Sequence, residues 1–533
     1  MTKRQDRIFR GPVLIYKEKL VTLQVILSHI FFRQLMKKYR IILIAVILAA
    51  TVSAKTVDNQ AGELSRILEG QNDIEELTVS GSVNAADFEF ILNSLPSLTS
   101  LDISSARISA YEGEPLKNTG RTFSAADEIP EYALFGSPVR TLRLPVGITA
   151  IGESAFAGSG ITEITIPPSV RTIGDRAFAG SSIERIIIPS TVTEIGKGIF
   201  RNSIKLADVV IKTSAGVSQE AFFGCTSLVK VTLADDTESI GVRAFSGTKA
   251  LQDMIFPPSL ETIGDYAFSG SGIISVNLAD NENITVIGNG AFENCLNLRK
   301  VVLPQSLTAI SESLFFGDKS LTDLTVPLNI KSIDRLALAG DGKLSETPLY
   351  SDLQQVSTIG DYAMVGVSSV TGLTLPRTLV YIGKGAMENM TGLVDISAET
   401  LSIKPELGED VWKNIGQRNV TLTVDEKVAP EFEKDSQWRL FNIVRKSSRS
   451  ETVTDEMTEF SPVLRLESSV LTIETDKNMS LIAVYGLSGS VVAMIYPNDS
   501  FARIDLGELS SALYIIEVRS IDNENKIFKL IKK

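Results

Sequence analysis

Histidine is almost missing from this 533-residue chain, and the one copy, His29, lies in a leader-like N-terminal stretch. Without an imidazole further on, Ser-His-Asp and Cys-His nucleophile activation are excluded, as are the usual His-bearing zinc sites. Carboxylate-pair chemistry stays formally open. Basic residues are in deficit, 52 against 64 acidic, for a net charge of −12. Beyond position 54 the balance is 42 basic to 62 acidic, a net −20. Non-specific nucleic-acid binding needs Lys and Arg against phosphate, so that class is disfavoured. No uninterrupted apolar run reaches the roughly 20 residues that span a bilayer. Phosphate loops, nucleotide fingerprints and paired Cys motifs are absent, and no cofactor is expected. The acidic clusters Asp235-Asp236 and Asp280-Asn281-Glu282 lack the spacing of a calcium loop, so they read as solvated turns and no metal site is assigned.

What is present is repetition. The phrase Ile173-Gly174-Asp175-Arg176-Ala177-Phe178 is rewritten from Ile151, Ile173, Ile195, Val217, Ile240, Ile263, Ile287, Ile310, Ile333, Ile359 and Ile382, with a looser copy at Ile129. Successive copies are 22 to 26 residues apart, the period of a leucine-rich-repeat solenoid. The fold class expected is therefore a β-rich leucine-rich-repeat solenoid of about 12 regular coils, followed by a small C-terminal β-sandwich.

Each coil carries two apolar segments. One is Leu-x-x-h-x-h (h, apolar), usually closed by Pro, as in Ile161 to Pro167, Leu251 to Pro257, Leu298 to Pro304 and Leu321 to Pro327. Its alternation predicts a strand with one face buried, and Pro marks the strand end. The other is the Ile-Gly phrase, where Gly is expected to permit a bend and the Ala-Phe pair to turn inward. The Phe position repeats as Phe156, Phe178, Phe200, Phe222, Phe245, Phe268, Phe292 and Phe315, then fades to Leu338, Met364 and Met387. Stacking of coils predicts a continuous aromatic column in the core. Cys225 and Cys295 hold matching places three coils apart, about 14 Å at the usual strand spacing. A disulfide needs Cα atoms within about 7 Å, so two free, buried thiols are expected.

In chain order, residues 1–35 form an extension ahead of a complete signal at 36–54: Met36-Lys37-Lys38-Tyr39-Arg40, the apolar run Ile41 to Ala50, and small residues at Ser53-Ala54. The extension reads as a misassigned start at Met1 rather than Met36, or else as part of a retained anchor. Residues 55–128 read as N-terminal capping repeats, with Tyr111 to Ala126 a loop. Residues 129–445 are the solenoid. The phrase is lost past Ile396, Val420 to Val424 is a last strand, and Ala429 to Val444 closes the final coil. The period stretches between Gly340 and Ser357, where an inserted loop is a weak binding candidate. Residues 446–458 are a polar linker. From 459 to 533 seven short period-two strands are expected: Val463 to Leu466, Val470 to Ile473, Leu481 to Val484, Val491 to Ile495, Ala502 to Leu506, Leu513 to Val518 and Ile527 to Ile531.

The outward positions of the repeat strands give the candidate binding residues. One column reads Glu163, Arg185, Asp208, Lys230, Asp253, Ser275, Lys300, Asp323, alternating in sign over the first five. Opposite charges on neighbouring strands attract by roughly 0.2–1 kcal/mol. The column reads either as register and solubility control or as a mixed-charge recognition strip. Beside it runs Thr165, Ile187, Val210, Thr232, Ile255, Asn277, Val302, Thr325. That stripe either packs beneath a cover or, if exposed, points to protein contact.

The text Pro-Ser-x-Val-x-x-Ile-Gly-x-x-Ala-Phe-x-Gly at Pro168 to Gly180, with its copies through Met387, resembles the BspA-like class of bacterial leucine-rich repeats. That resemblance implies a secreted or surface-exposed solenoid, linked in relatives to adhesion to host or bacterial partners. The tail is similar to the type IX secretion sorting domain of Bacteroidota. The matching residues are Val484-Tyr485-Gly486-Leu487-Ser488-Gly489, Asp505-Leu506, Leu509, Leu513 to Val518, and Lys526, Lys529, Lys532 and Lys533. Ala512-Leu513 stands where that family usually has Gly. The resemblance implies export to the outer-membrane surface or beyond, through the type IX machinery. The function expected is non-enzymatic binding or adhesion to a surface protein or glycan, without nucleic acid and without a transmembrane helix in the mature chain. Alternatives are an exported hydrolase with the same tail and a structural envelope protein. The repeats leave no 150-residue stretch for a catalytic domain.

Overall fold

The computed structural model describes residues 53–340, 343–344, 355–446, 462–467, 469–486, 491–507, 509–510, 513–522 and 524–532. The chain divides at Ser448 into two compact units. The extension 1–35, nearly all of the leader 36–54, most of the insertion after Gly340 and the linker lie outside the described residues.

The first unit is a stack of parallel coils with little helix. Most coils contribute a longer strand from the Leu-x-x-h-x-h text and a two-residue strand ending at the repeated Ile. Arg185–Ile188 pairs in register with Asp208–Ile211, and that with Lys230–Thr232. On the second ladder Ile129, Ile151, Ile173 and Ile195 pair directly in succession. Alternation buries Ile186 and Ile188 while Arg185 and Ile187 face out, as the period of two requires.

Between the ladders sits the column. From Phe156 to Phe315 the rings are fully buried and neighbouring centroids lie 5.0–6.0 Å apart. Leu338, Met364 and Met387 continue it, all buried. Both cysteines are free and buried. Cys225 Sγ donates to the Phe200 carbonyl, and Cys295 Sγ to that of Phe268. Ser203 makes the matching bond to Phe178, so in these three coils the small polar side chain at this place ties the coil to the one before it.

Three sequence expectations need correction. First, the glycine of Ile-Gly does not make a bend through a left-handed backbone. A Cβ on Gly174 would lie 2.6 Å from the Glu153 nitrogen, and one on Gly196 only 2.3 Å from that of Asp175. The residue is small because adjacent coils touch there. The left-handed positions are two and six residues further on, as at Arg176 (φ 53°) and Gly180 (φ 64°). Second, Leu251 to Pro257 forms no strand, and Ile161 to Pro167 makes only single bridges, Glu163 to Thr141 and to Arg185. These two segments end in Pro-Pro, at Pro167-Pro168 and Pro257-Pro258. The second proline restricts the first, and neither can donate to the ladder. Third, the phrase survives past Ile396. Glu406–Leu407 pairs with Tyr381–Ile382, Gly408 follows, and Trp412 occupies the Phe place.

The ends are closed differently. Ala54–Asn59, Glu76–Val83, Ser100–Ile108 and Thr141–Arg143 extend the longer-strand ladder at the N-terminal side. Helix Ala85–Ser94 starts at a capping box in which Asn84 accepts from Ala86 and Asp87 accepts from the Asn84 amide. The segment expected to be a plain loop carries a two-residue hairpin, Tyr111–Glu112 with Phe123–Ser124. At the other end Trp412, Phe432, Trp438 and Phe441 cluster with ring centroids 5.0–5.9 Å apart.

The C-terminal unit holds six strands among the described residues, not seven. The two segments expected at Val470 and Leu481 are one strand, Val470–Tyr485. It meets Val463–Glu467 and Asp499–Asp505 with its first half and Val491–Ile495 and Leu513–Ser520 with its second. Its register shifts between Glu474 and Met479. Leu471, Ile473, Ile482, Val484, Ile516 and Val518 form its buried core.

Candidate interaction surface

The outward face of the longer strands collects the sequence-derived candidates. Pairing places Arg185 beside Asp208, Asp208 beside Lys230, Ser275 beside Lys300, and Lys300 beside Asp323. Single bridges add Glu163 beside Arg185. Asp253 is exposed in the coil that lacks a strand, so it keeps its place in the stack without a ladder bond. Glu163, Arg185, Lys230, Asp253 and Lys300 are exposed; Asp208 and Asp323 are half-buried.

Register control by ion pairing accounts for only part of this. Lys300 and Asp323 are 3.1 Å apart with both side-chain charges open to solvent, and such a pair contributes little. Among the described residues, Glu163, Arg185, Asp208, Lys230 and Asp253 take part in no ion pair with each other or with anything else. Asp208 Oδ1 is shielded from solvent without a hydrogen-bond partner. Five charges of alternating sign therefore stand side by side, unneutralised within the chain.

The neighbouring stripe is not covered. Ile187 is 53% exposed and Ile255 is 88% exposed, with Val229 at 60% one position to the other side of the strip. A groove over the first of these coils is lined by Glu163, Thr165, Arg185 and Ile187. One extension of the pattern escaped the sequence reading. Arg143 pairs in register with Asp102, 3.6 Å between charged atoms. Burial works against ionising Asp102, but bonds from Ser104 and the charge of Arg143 hold its carboxyl below the ordinary value. The signal was the spacing of Leu101 and Leu142, which puts Asp102 and Arg143 on the outward side.

Chemistry elsewhere is muted. Burial pushes the Cys225 thiol up to about 12 and raises Cys295 further, so neither offers a thiolate. Asn281, from the second acidic cluster, is buried and donates to the Pro257 carbonyl at 2.6 Å; it joins coils rather than facing solvent. No metal-holding group of His, Cys, Asp or Glu occurs among the described residues. No helix among them is long and apolar enough to cross a membrane. In the C-terminal unit Tyr485 donates to Glu517 at 2.7 Å, and Lys532 Nζ donates to the carbonyls of Leu506, Gly507 and Leu509. Leu487, Ser488, Gly489 and Lys533 of the tail motif lie outside the described residues.

The family model described as BspA type leucine rich repeat region matches residues 127–216, 215–345 and 347–421. No curated protein matches the chain. Among solved structures, the chain is similar to a leucine-rich repeat protein from Bacteroides ovatus: 20% identity, 64% of this chain and 84% of that one covered, TM-score 0.47. A leucine-rich repeat protein from Eubacterium ventriosum gives 19% identity, coverage of 63% and 88%, and TM-score 0.39. A leucine rich cell surface protein from Faecalibacterium prausnitzii gives 20% identity, coverage of 55% and 89%, and TM-score 0.33.

Proposed function

We propose, from the premise that this chain belongs to the BspA-type leucine-rich repeat family, that it is a non-enzymatic binding protein which holds a protein or glycan partner on its longer-strand face. The observation that carries the reading is the unneutralised run from Glu163 to Asp253 flanked by exposed Ile187 and Ile255. Charges left without partners in the chain are available to a ligand, and complementary charge gives specificity and fast association. An exposed aliphatic pair beside them supplies contact area of the kind that interfaces bury. The segment before the regular coils is itself stacked strand at Glu76–Val83 and Ser100–Ile108, which supports the binding reading.

The second half of the proposal concerns address. The tail residues Tyr485, Asp505, Leu506, Leu513 to Val518 and Lys532 resemble those of a type IX sorting domain, and this resemblance supports export to the outer-membrane surface or beyond. Deleting residues 459–533 is expected to leave the repeat unit inside the outer membrane, measured by protease access on intact cells.

Binding is tested by probing the purified protein against arrays of host matrix proteins and glycans. Capture that is lost on reversing Arg185 and Lys230 supports the strand face. Capture unchanged by that reversal removes it, and turnover of a bound substrate would favour a hydrolase.

A further inference from the structure

We propose that the same face also pairs with a second copy of this chain, through a two-fold axis lying between the coils of Asp208 and Lys230. The inference rests on the strip being open, as in the reading above, but not on any outside partner.

The charge order around that point is Arg185, Asp208, Lys230, Asp253, one residue per coil. Consider two such faces in contact, with the two-fold axis running along the strands. Strand direction is kept and the order of coils is reversed. Asp208 then faces Lys230 of the second copy, and Arg185 faces Asp253. Symmetry repeats both contacts, so four opposite-charge pairs form from one register. An axis placed through the coil of Arg185, Asp208, Lys230 or Asp253 fails, because that charge would meet its own copy.

The apolar positions obey the same axis. Ile187 shares a coil with Arg185, and Ile255 shares one with Asp253, so the two exposed isoleucines face each other. Val210 faces Thr232, and Ala207 faces exposed Val229. Further out, Glu163 meets Ser275 and Lys300 meets Thr141, so no like charges on the strip oppose each other. A charge column arranged only for solubility has no reason to place its two bare isoleucines symmetrically about the middle of the four charges from Arg185 to Asp253. Four coils give less than the roughly 800 Å² per partner of a standard interface, so the dimer is reversible and needs micromolar protein. An outside partner on this face would compete with it.

Cysteine substitution reads the register directly in the full chain. Ile187→Cys and Ile255→Cys lie three coils apart within one molecule, about 14 Å, too far for a bond. The mixture of the two single variants is expected to form a disulfide-linked dimer, and each variant alone to stay unlinked. Sedimentation gives the second arm. Arg185→Asp alone sets Asp against Asp253 and is expected to weaken the dimer at least tenfold. The exchange Arg185→Asp with Asp253→Arg restores every pair and is expected to restore the dimer. A monomer at all concentrations up to about 200 μM overturns the proposal; so does linkage of the single variants as fast as the mixture. Loss of dimerisation with array capture intact would remove this inference alone, and the converse would remove the binding reading alone.

Discussion

Phe245 has no solvent exposure, and its ring lies 5.1 Å from that of Phe222 and 5.0 Å from that of Phe268. Truncation to Ala leaves a hole that rigid neighbouring coils cannot fill, with an expected cost of about 3–5 kcal/mol. Hydrogen exchange should quicken in the coils on either side; an unchanged melt would contradict the shared column. This much was legible from the text, because a residue repeated at a fixed offset in a stacked fold must meet its own copies. The role of glycine was not. Ser154, Arg176, Glu220, Tyr266 and Leu336 all occupy the left-handed place in their coils, so residue type there does not betray the backbone. Where a glycine stands two places earlier, as at Gly152, Gly174 and Gly264, it lies against the backbone of the coil before, a relation between residues about 22 apart that no local rule displays, whereas Ser218 and Asp334 fill that place in other coils. Gly174→Val is expected to destabilise by about 1–3 kcal/mol through overpacking, read from the denaturant midpoint. Asp318 supplies a third test. Burial, and then the charge of Glu293, raise its carboxyl well above the ordinary value, against a bond from the Cys295 amide that lowers it. A raised folded-state value means stability present at low pH that is lost as pH rises through it. Asp318→Asn is therefore expected to raise the melting temperature more at pH 8 than at pH 4; an equal gain at both would contradict it.

At the scale of elements, alternation marked the strands and proline marked their ends, yet two strands fail where the ending is doubled. Pro258→Ser gives the Leu251 coil the Pro-Ser ending that the strand Arg185–Ile188 has at Pro189-Ser190. Slower amide exchange at Met254 and Ile255 is the expected result, and no change would mean that something other than the second proline breaks the ladder. The extra coil at Leu407 was missed because Trp412 replaces Phe and Val411 replaces Ala, although Leu-Gly kept the period. Trp438 packs on Trp412 at 5.0 Å and is fully buried, so Trp438→Ala should uncover the last coil at a cost of about 3–5 kcal/mol. Early melting confined to residues 406–446 is the expected pattern. In the C-terminal unit the two strands expected at Val470 to Ile473 and Leu481 to Val484 are one. Thr475 bonds the Lys477 carbonyl within a continuous strand, and sequence cannot tell such a kink from a hairpin.

For the whole molecule, the candidate face was readable as a list of outward positions, but its condition was not. Whether neighbouring opposite charges pair is a matter of side-chain reach, and here Lys300 reaches Asp323 while Arg185, Asp208 and Lys230 stay apart. Whether a β-branched stripe is covered depends on what the rest of the chain does, and Ile255 is bare. The proposed function rests on a surface that a long, regular stack displays and does not itself use. The measurement that tests this most directly is hydrogen exchange across the full chain with and without the strongest partner found on the arrays. Protection of the strand amides from Arg185 to Ile255, with the turns at the left-handed positions unchanged, is the predicted footprint. Protection confined to those turns, or to the aromatic end at Trp412 to Phe441, would contradict it.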